Sequence, residues 1–155
     1  FKPGMDFPFD IVLDTTGDES FSEYLNRFLA QLPKMPLYIC GYIYGRSKAV
    51  CASVIGSSKK ACLRCEKKYV KENGVLPVLG KEDQTRGTCN AVFIPFPITA
   101  SIAAANLMMT ALFRSLKATE EESLFWFQTC ANNVWTAMEC VTIPKDDSCP
   151  ACCRK

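Results

Sequence analysis

The sequence predicts an α/β domain with a mixed sheet, packing helices and a site built from four cysteines. Apolar runs of strand length alternate with two segments of helical periodicity along residues 1–155, which is a length typical of one domain. Two Cys-x-x-Cys pairs, Cys62 with Cys65 and Cys149 with Cys152, lie far apart in the chain. Hydrophobic residues make up 48% of the composition and charged residues 22%, as in globular proteins.

The first part of the chain predicts a strand, a helix and a hairpin. Residues 10–14 form a short apolar run between acids, which is typical of a buried parallel strand whose carboxyl end opens toward a ligand crevice. Apolar residues then recur every three or four positions over residues 20–32, and prolines end this predicted helix. Leu37–Tyr44 and Ala49–Ile55 predict two strands, and their short connection predicts an antiparallel hairpin.

A loop and a second helix are predicted next. Residues 66–88 combine charges with glycines and lack sustained apolar periodicity, so we expect a long loop. Helical periodicity returns after Pro97 and predicts a helix over residues 99–116. We expect its packed side to consist of Ile102, Ala105, Met109, Leu112 and Leu116.

The last part of the chain predicts two strands and a tail. Residues 124–130 and 134–143 have strand character, and Asn132 and Asn133 predict the turn between them. Residues 144–155 form a tail that carries the second cysteine pair.

An uncharged stretch over residues 87–113 is long enough to span a bilayer. Prolines interrupt its first part and polar residues dilute the rest, so we prefer a buried strand or loop followed by a buried helix. The net charge of +2 does not favour nucleic acid or an anionic membrane surface. We therefore expect neither a membrane nor a nucleic acid as a partner.

The cysteines and the missing histidine restrict the chemistry. The chain has ten cysteines and no histidine, which excludes Ser-His-Asp and Cys-His catalysis within it and any zinc site that needs histidine. A Cys-x-x-Cys turn places two thiolates on one side of a metal ion, and tetrahedral zinc needs two such turns. We predict that Cys62, Cys65, Cys149 and Cys152 hold structural zinc and attach the tail, residues 144–155, to the domain.

Other interpretations of the cysteines remain open. The pairs can be redox-active, or the chain can be a secreted protein with a disulfide framework, although the spacing favours a reducing compartment. Cys153 can replace Cys152 as the fourth ligand. Four further cysteines lie in apolar, strand-like stretches, where free cysteine packs as a small hydrophobe: Cys40, Cys51, Cys130 and Cys140.

Cys89 and Asp18 are candidates for other chemistry. Cys89 ends the predicted loop, and Arg86 can raise its thiolate fraction. Without a histidine base, such a thiol needs an activated substrate, and an acyl-adenylate meets that condition; the alternative is a buried cysteine. Asp18 follows the first predicted strand, where it can bind magnesium beside nucleotide phosphates or cap the following helix.

Several segments, in chain order, resemble one family. They are Asp10-Ile11-Val12-Leu13-Asp14-Thr15-Thr16, Tyr24-Leu25-Asn26-Arg27, Pro36-Leu37-Tyr38, Cys62-Leu63-Arg64-Cys65, Arg86-Gly87-Thr88-Cys89, the alanine-rich helix and Cys149-Pro150-Ala151-Cys152. Together they resemble the ThiF/MoeB family of ubiquitin-activating-enzyme-like adenylyltransferases. The resemblance covers the C-terminal half of that family's Rossmann-like domain, so we expect the glycine-rich nucleotide loop upstream of Phe1.

The resemblance implies a specific activity. The family uses Mg-ATP, here bound mainly by the missing half, to adenylate the C-terminus of a ubiquitin-like or sulfur-carrier protein. It implies a crossover loop at residues 66–88, a thioester acceptor at Cys89 and structural zinc at the cysteine pairs. It also implies a homodimer, a ubiquitin-conjugating-like domain or protein as a further partner, and a cytoplasmic location. The family usually has an acid that helps to bind magnesium at the position where this chain has Gly17. The alternative is therefore a catalytically inactive member, which would serve as a zinc-stabilised protein-binding module.

Overall fold

The computed structural model describes residues 7–80, 85–86, 92–93, 96–118 and 122–153. Within these residues a mixed sheet is packed between helices. The helices are α1 (Glu19–Leu29), α2 (Leu63–Glu72) and α3 (Ile98–Ser115). The main sheet contains β1 (Ile11–Asp14), β2 (Leu37–Tyr44), β3 (Ala49–Ile55), β6 (Leu124–Ala131), β7 (Val134–Trp135) and β8 (Glu139–Thr142). Two short strands, β4 (Thr85–Arg86) and β5 (Val92–Phe93), pair with each other.

The strand order of the main sheet is β1-β2-β3-β6-β7, and β8 also pairs with β6. β1 runs parallel to β2, with Ile11 beside Leu37. β2 and β3 form an antiparallel hairpin, with Tyr38 beside Ile55, and the remaining pairs are antiparallel. The predicted mixed α/β sheet and the predicted hairpin are therefore confirmed.

The two faces of the sheet have separate cores, because successive side chains of a strand point to opposite faces. Ile39, Val50 and Trp126 pack on the face that α3 covers. On the other face, Tyr38 and its neighbours pack against α1, and Phe125 and its neighbours pack against α2 and the tail. The cysteine pairs belong to this second face.

β1 is parallel, as predicted, but it is not a buried strand. Ile11 is 36% exposed and Leu13 is 45% exposed. In the part of the chain that the structure describes, β1 pairs only with β2, so it is an edge strand. The apolar run predicted the strand correctly. It did not predict that β1 lies at an edge of the sheet, because that depends on how many strands pair with it.

Helix α3 lies where it was predicted, but it packs with a different face. Of the predicted set only Leu112 is buried, whereas Ile102 is 63% exposed and Leu116 is 56% exposed. The buried residues are Ala100, Ala104, Leu107, Met108, Ala111 and Leu112. No helix among the described residues has the length and apolar character that crossing a bilayer requires.

Helix α3 packs closely on β2 and β3, and half of its buried residues are alanines. Gly41 of β2 lies under Met108, and a Cβ atom at Gly41 would overlap the Met108 side chain. Apolar residues occur around most of the helix, so periodicity alone does not select one face. The sheet selects the face whose side chains fit this narrow space.

The predicted loop at residues 66–88 is partly helical, which corrects the sequence interpretation. Its first seven residues continue α2, whose buried side consists of Leu63, Cys65 and Glu66. Because Glu66 occupies a buried position of α2, the apolar residues of this segment do not recur with the period of a helix. Residues 81–84 and 87–88 of this region lie outside the described residues.

The predicted strand at residues 134–143 is two strands, β7 and β8, separated by an irregular segment. The turn before it is confirmed, since Asn132 and Asn133 have φ angles of 53° and 62°. Asparagine tolerates this left-handed conformation better than most residues do.

A buried carboxylate joins β1, α1 and β2. One oxygen of Asp14 accepts hydrogen bonds from Ser22 Oγ at 2.7 Å and Tyr38 OH at 2.8 Å. The other accepts from the backbone N–H and the hydroxyl of Thr16, at 3.0 and 2.7 Å. Burial alone would raise the pKa of Asp14, but these donors outweigh burial and hold the pKa below its ordinary value of 3.8.

The packing of α3 can be tested with two substitutions of similar size on this helix. We expect Leu107→Ala to lower the free energy of unfolding by about 2–5 kcal/mol, because it leaves a cavity in the core. Ile102→Ala should change it by less than about 0.5 kcal/mol, because Ile102 is exposed. Urea denaturation measures both values. A larger loss for Ile102→Ala would contradict the packing described here.

The Asp14 network predicts a pH dependence. Because the pKa of Asp14 in the folded state lies below 3.8, folding favours the ionised form of this side chain. Its contribution is present well above pH 3.8 and is lost as the pH falls through the folded-state pKa. We expect Asp14→Asn to lower the free energy of unfolding by roughly 1–3 kcal/mol near neutral pH. The difference between wild type and variant should shrink in acid, as measured by urea denaturation across that range. A constant difference would refute the role of the carboxylate.

Candidate metal centre

The first cysteine pair lies at the start of α2. Cys62 is the N-cap residue, and no side-chain hydrogen bond from its own segment caps the helix. Instead, Asn26 Oδ1 of α1 accepts the N–H of Leu63 at 3.1 Å. This contact, made from another helix, holds the N-terminus of α2 in place.

The second pair is brought to the first by the C-terminal tail. After β8, Asp146 of the tail binds Lys68 Nζ of α2 at 2.8 Å. The same carboxylate accepts hydrogen bonds from the backbone N–H and hydroxyl of Ser148, at 2.9 and 2.6 Å, and so shapes the turn before Cys149. The tail therefore contacts α2 through a salt bridge as well as through its cysteines.

The two pairs form a compact group of four thiols. The Sγ atom of Cys62 lies 3.8 Å from that of Cys65 and 3.7 Å from that of Cys149. The Sγ atoms of Cys65 and Cys152 are 3.5 Å apart, and all four lie within 4.8 Å of one another. A tetrahedral ion with metal–sulfur bonds of about 2.3 Å, as in zinc sites, requires sulfur–sulfur separations of about 3.8 Å. These four thiols therefore have the spacing that a metal ion needs.

Backbone N–H groups support the first sulfur of each pair. Cys62 Sγ accepts hydrogen bonds from the N–H groups of Arg64 and Cys65. Cys149 Sγ accepts hydrogen bonds from the N–H groups of Ala151 and Cys152. Such donors stabilise the thiolate and orient it toward a bound ion. Burial raises the pKa of Cys149, but the donors outweigh it and lower that pKa to about 7. At Cys62 burial dominates and raises the pKa to about 11.

Cys153 lies beside this group but outside it. Its Sγ is 3.9 Å from that of Cys152 and donates to the carbonyl of Asp146 at 3.3 Å. The geometry therefore selects Cys152 as the fourth member. The nine cysteines that the structure describes are all free thiols, and the separations above far exceed the roughly 2 Å of a disulfide.

The other predicted site residues are placed as follows. Cys89 lies outside the described residues, and Arg86 is described only as backbone in β4. Asp18 is the N-cap of α1, and its carboxylate accepts the N–H of Phe21 at 2.8 Å. The structure thus supports the capping interpretation of Asp18.

A crevice opens at the carboxyl end of β1, where the sequence predicted one. It has a volume of about 480 Å³ and lies between the turn after β1 and the first half of α3. Its walls include Thr15, Thr16, Gly17, Phe96, Ser101 and Met108. In open α/β sheets, ligands bind at this position relative to the strands.

Two residues that support the site, Asn26 and Asp146, and the buried Glu66 beside it were not predicted from the sequence. In the sequence, Asn26 stands out only as part of a segment that resembles the family, and Asp146 only as a residue of the tail that carries the second cysteine pair. Glu66 was assigned to a loop. Each acts on residues distant in the chain, so no local pattern reveals its role. The sequence contains one indication that Glu66 is not an ordinary loop residue, which is that it directly follows the predicted ligand Cys65.

Comparisons with known proteins do not identify this chain. No protein-family model matches it, and no curated protein matches its sequence. Neither comparison places the chain in a family.

The four-thiol group predicts binding of one divalent metal ion per chain. Co²⁺ should give the visible absorption typical of a tetrahedral thiolate site, and Cys149→Ser should abolish that spectrum. The same change should lower the free energy of unfolding by roughly 3 kcal/mol or more, because the ion would join distant segments.

Cys140→Ser is the matched control, because Cys140 is exposed on β8 and lies outside the group. It should keep the Co²⁺ spectrum and change stability by less than about 0.5 kcal/mol. An unchanged spectrum in Cys149→Ser would show that these four thiols do not form the site.

Proposed function

We propose that this chain is the C-terminal half of an ATP-dependent activating enzyme of the ThiF/MoeB kind. Such an enzyme adenylates the C-terminus of a ubiquitin-like or sulfur-carrier protein and then passes the acyl group to a cysteine. The observation that carries the proposal is the crevice at the carboxyl end of β1. It lies beside the N-terminus of α3, the helix that directly follows the segment containing Cys89.

The architecture around the crevice supports this proposal. A parallel strand pair, β1 and β2, ends at the crevice, and the turn after β1 carries Thr15, Thr16 and Gly17. A glycine with a φ of 66° follows the threonines and leaves open space where a Cβ would be. An extended C-terminal tail of a carrier protein fits a crevice with small residues on one wall and an apolar helix on the other.

Zinc is the metal that best suits the four thiols. Four thiolates close a tetrahedral coordination sphere and leave no position for a reactive water. We therefore assign zinc a structural role, in which Cys62, Cys65, Cys149 and Cys152 join the tail to α2. Mg-ATP would supply the activating chemistry and would be bound mainly by residues outside this chain. Asp18, which caps α1, would lie near the magnesium ion without a direct role in binding it.

The proposed reaction has two steps. A carboxylate oxygen of the carrier attacks the α-phosphorus of ATP, and pyrophosphate leaves. The Cys89 thiolate then attacks the acyl carbon of the adenylate, and AMP leaves with the electron pair of the broken C–O bond. Because AMP is a good leaving group, this second step does not require a histidine base in the chain.

A second candidate function is a pseudoenzyme that keeps the fold and the metal site and binds a protein. Two observations favour it. Asp18 caps α1, and Gly17 occupies the position of the family's acid. In addition, α3 presents large apolar side chains to solvent, among them Ile98 at 73% exposure and Phe113 at 57%. Such a face suits a protein partner, including a second copy of the chain.

The full-length protein tests the proposed activity. With Mg-ATP and a panel of ubiquitin-like and sulfur-carrier proteins, we expect ATP–pyrophosphate exchange and a DTT-sensitive adduct. Cys89→Ala should abolish the adduct and leave the exchange, because adenylation precedes the thioester. Cys130→Ala, at a partly buried cysteine in β6, is the control that should keep both.

The outcomes separate the alternatives. Exchange without an adduct in the wild type would limit the activity to adenylation. No exchange with any carrier would favour the pseudoenzyme. An adduct that persists in Cys89→Ala would show that Cys89 is not the acceptor.

A further inference from the structure

A groove on the face of the sheet that α3 covers is lined by basic and amide side chains that none of the preceding roles explains. It has a volume of about 820 Å³ and lies between α3 and two hairpin turns, the one that joins β2 to β3 and the one that joins β6 to β7. Sites that bind small organic molecules have volumes of about 300–1,000 Å³. The groove is therefore large enough for a ring that carries a charged substituent.

One wall of the groove is a flank of α3. Four residues of the helix line it at spacings of three and four positions, so they lie on one side of the helix: Thr99, Ile102, Ala103 and Asn106. The crevice at the end of β1 is lined by the opposite flank of α3, which includes Ser101 and Met108. No described residue lines both the groove and the crevice. The groove is therefore separate from the crevice on which the proposed function rests.

The opposite wall is formed by strand ends on the same face of the sheet. Trp135 is half-buried and packs against the core that α3 covers. Cys130 lies beside Trp135 in register, and directly opposed residues of antiparallel strands point to the same face. Lys48 directly precedes Ala49, which packs on the α2 side of the sheet, so strand alternation places Lys48 on the α3 side. An aromatic ring and a lysine therefore line the groove together.

The charge of the groove favours an anion. Its charged residues are Arg46 and Lys48, and no acid lines it in the part of the chain that the structure describes. A cleft lined by charge of one sign attracts ions of the opposite sign. Arg46 suits phosphate in particular, because its planar guanidinium group can donate two parallel hydrogen bonds. The amides of Asn132 and Asn133 add further hydrogen-bond donors to the same groove.

The turn that carries Arg46 has a backbone conformation that is unfavourable for its residues. Arg46 and Ser47 have φ angles of 45° and 69°, a region that favours glycine and asparagine. The other turn of the groove has asparagines, Asn132 and Asn133, in the same conformation. Residues held in such conformations cluster at binding and active sites. An arginine at this position is therefore what a binding role would require rather than what the turn itself favours.

We propose that this groove binds a phosphate monoester carried on a planar ring. The phosphate accepts hydrogen bonds from Arg46, Lys48 and the asparagine amides, and the ring stacks on Trp135 and contacts Ile102. The positive charges of the arginine and the lysine match a dianionic phosphate, and an aromatic side chain stacks on flat rings of many kinds. The proposal does not depend on adenylation, because the groove and the crevice have no described residue in common.

Three probes test the proposal on the metal-loaded full chain at constant ionic strength. Phenyl phosphate carries both the ring and the phosphate, phenol lacks the phosphate, and inorganic phosphate lacks the ring. Isothermal titration calorimetry and ligand-observed NMR measure the binding of each. We expect phenyl phosphate to bind at least about tenfold more tightly than either of the others, because it alone makes both kinds of contact. An affinity equal to that of phenol or of inorganic phosphate, or no binding of phenyl phosphate, would overturn the proposal.

A pair of arginine variants locates the phosphate contact. Arg46→Gln should weaken binding of phenyl phosphate at least about tenfold and leave the binding of phenol unchanged, because it removes one charge at an exposed position. Arg27→Gln is the matched control, at an exposed arginine of α1 that lies outside the groove. It should leave both affinities within about twofold. Wild-type binding of phenyl phosphate in Arg46→Gln would refute the assigned contact.

Trp135→Leu tests the ring contact. It should weaken phenyl phosphate at least about fivefold and leave inorganic phosphate unchanged, because only the stacking contact is lost. Unchanged binding of phenyl phosphate would refute the stacking.

A further pair on α3 keeps the test decisive if Trp135→Leu does not fold. Asn106→Trp adds bulk at an exposed position of the wall and should weaken phenyl phosphate at least about fivefold. Met109→Trp, at an exposed position of the same helix outside the groove, should leave the affinity within about twofold. Full binding in Asn106→Trp would exclude this groove. ATP–pyrophosphate exchange is measured separately, so failure of one proposal does not imply failure of the other.

Discussion

The approach of the C-terminal tail to the start of α2 is the contact on which one whole face of the molecule depends. Cys62 and Cys149 are separated by 87 positions in the chain, yet their sulfur atoms lie 3.7 Å apart. A cross-link that closes a loop of this length stabilises a fold by roughly 4 kcal/mol through the entropy of the unfolded chain. Phe125, Phe127 and Ile143 pack in the same core as these cysteines, so binding of a metal ion to the thiols would be coupled to burial of the core.

The opposite face depends on small residues instead. Ala104 and Ala111 of α3 pack with Ala52 in one core. Met108 lies over Gly41, where a Cβ atom would leave no room for it. Other large apolar side chains of α3, such as Ile102 and Phe113, are exposed on its outer side. The two faces are thus stabilised in different ways. The four thiols and the tail hold one face together, and close packing of α3 on the sheet holds the other. The groove lined by Arg46 and Trp135 lies on the face that α3 covers.

The sequence predicted most elements because each has a strong local signal. The hairpin strands have the predicted bounds, and α1 and α3 lie within a few residues of their predicted positions. The predictions failed where a distant contact decides the outcome. Glu66 hides α2 because its carboxyl group is buried against Ser53. Ile102 is exposed because the sheet packs against the face of α3 that carries Leu107 and Ala111.

The same distinction applies to the candidate site. The spacing of the cysteine pairs, together with the lack of histidine, predicted an all-thiol group that includes Cys62, Cys65 and Cys149, because two Cys-x-x-Cys turns match tetrahedral coordination. The choice of Cys152 over Cys153, the capping of α2 by Asn26 and the groove beside α3 appear only in the tertiary structure. Local patterns determine which turns and helices form. Distances between residues far apart in the chain are decided by packing, and those distances select the ligands, the helix faces and the groove.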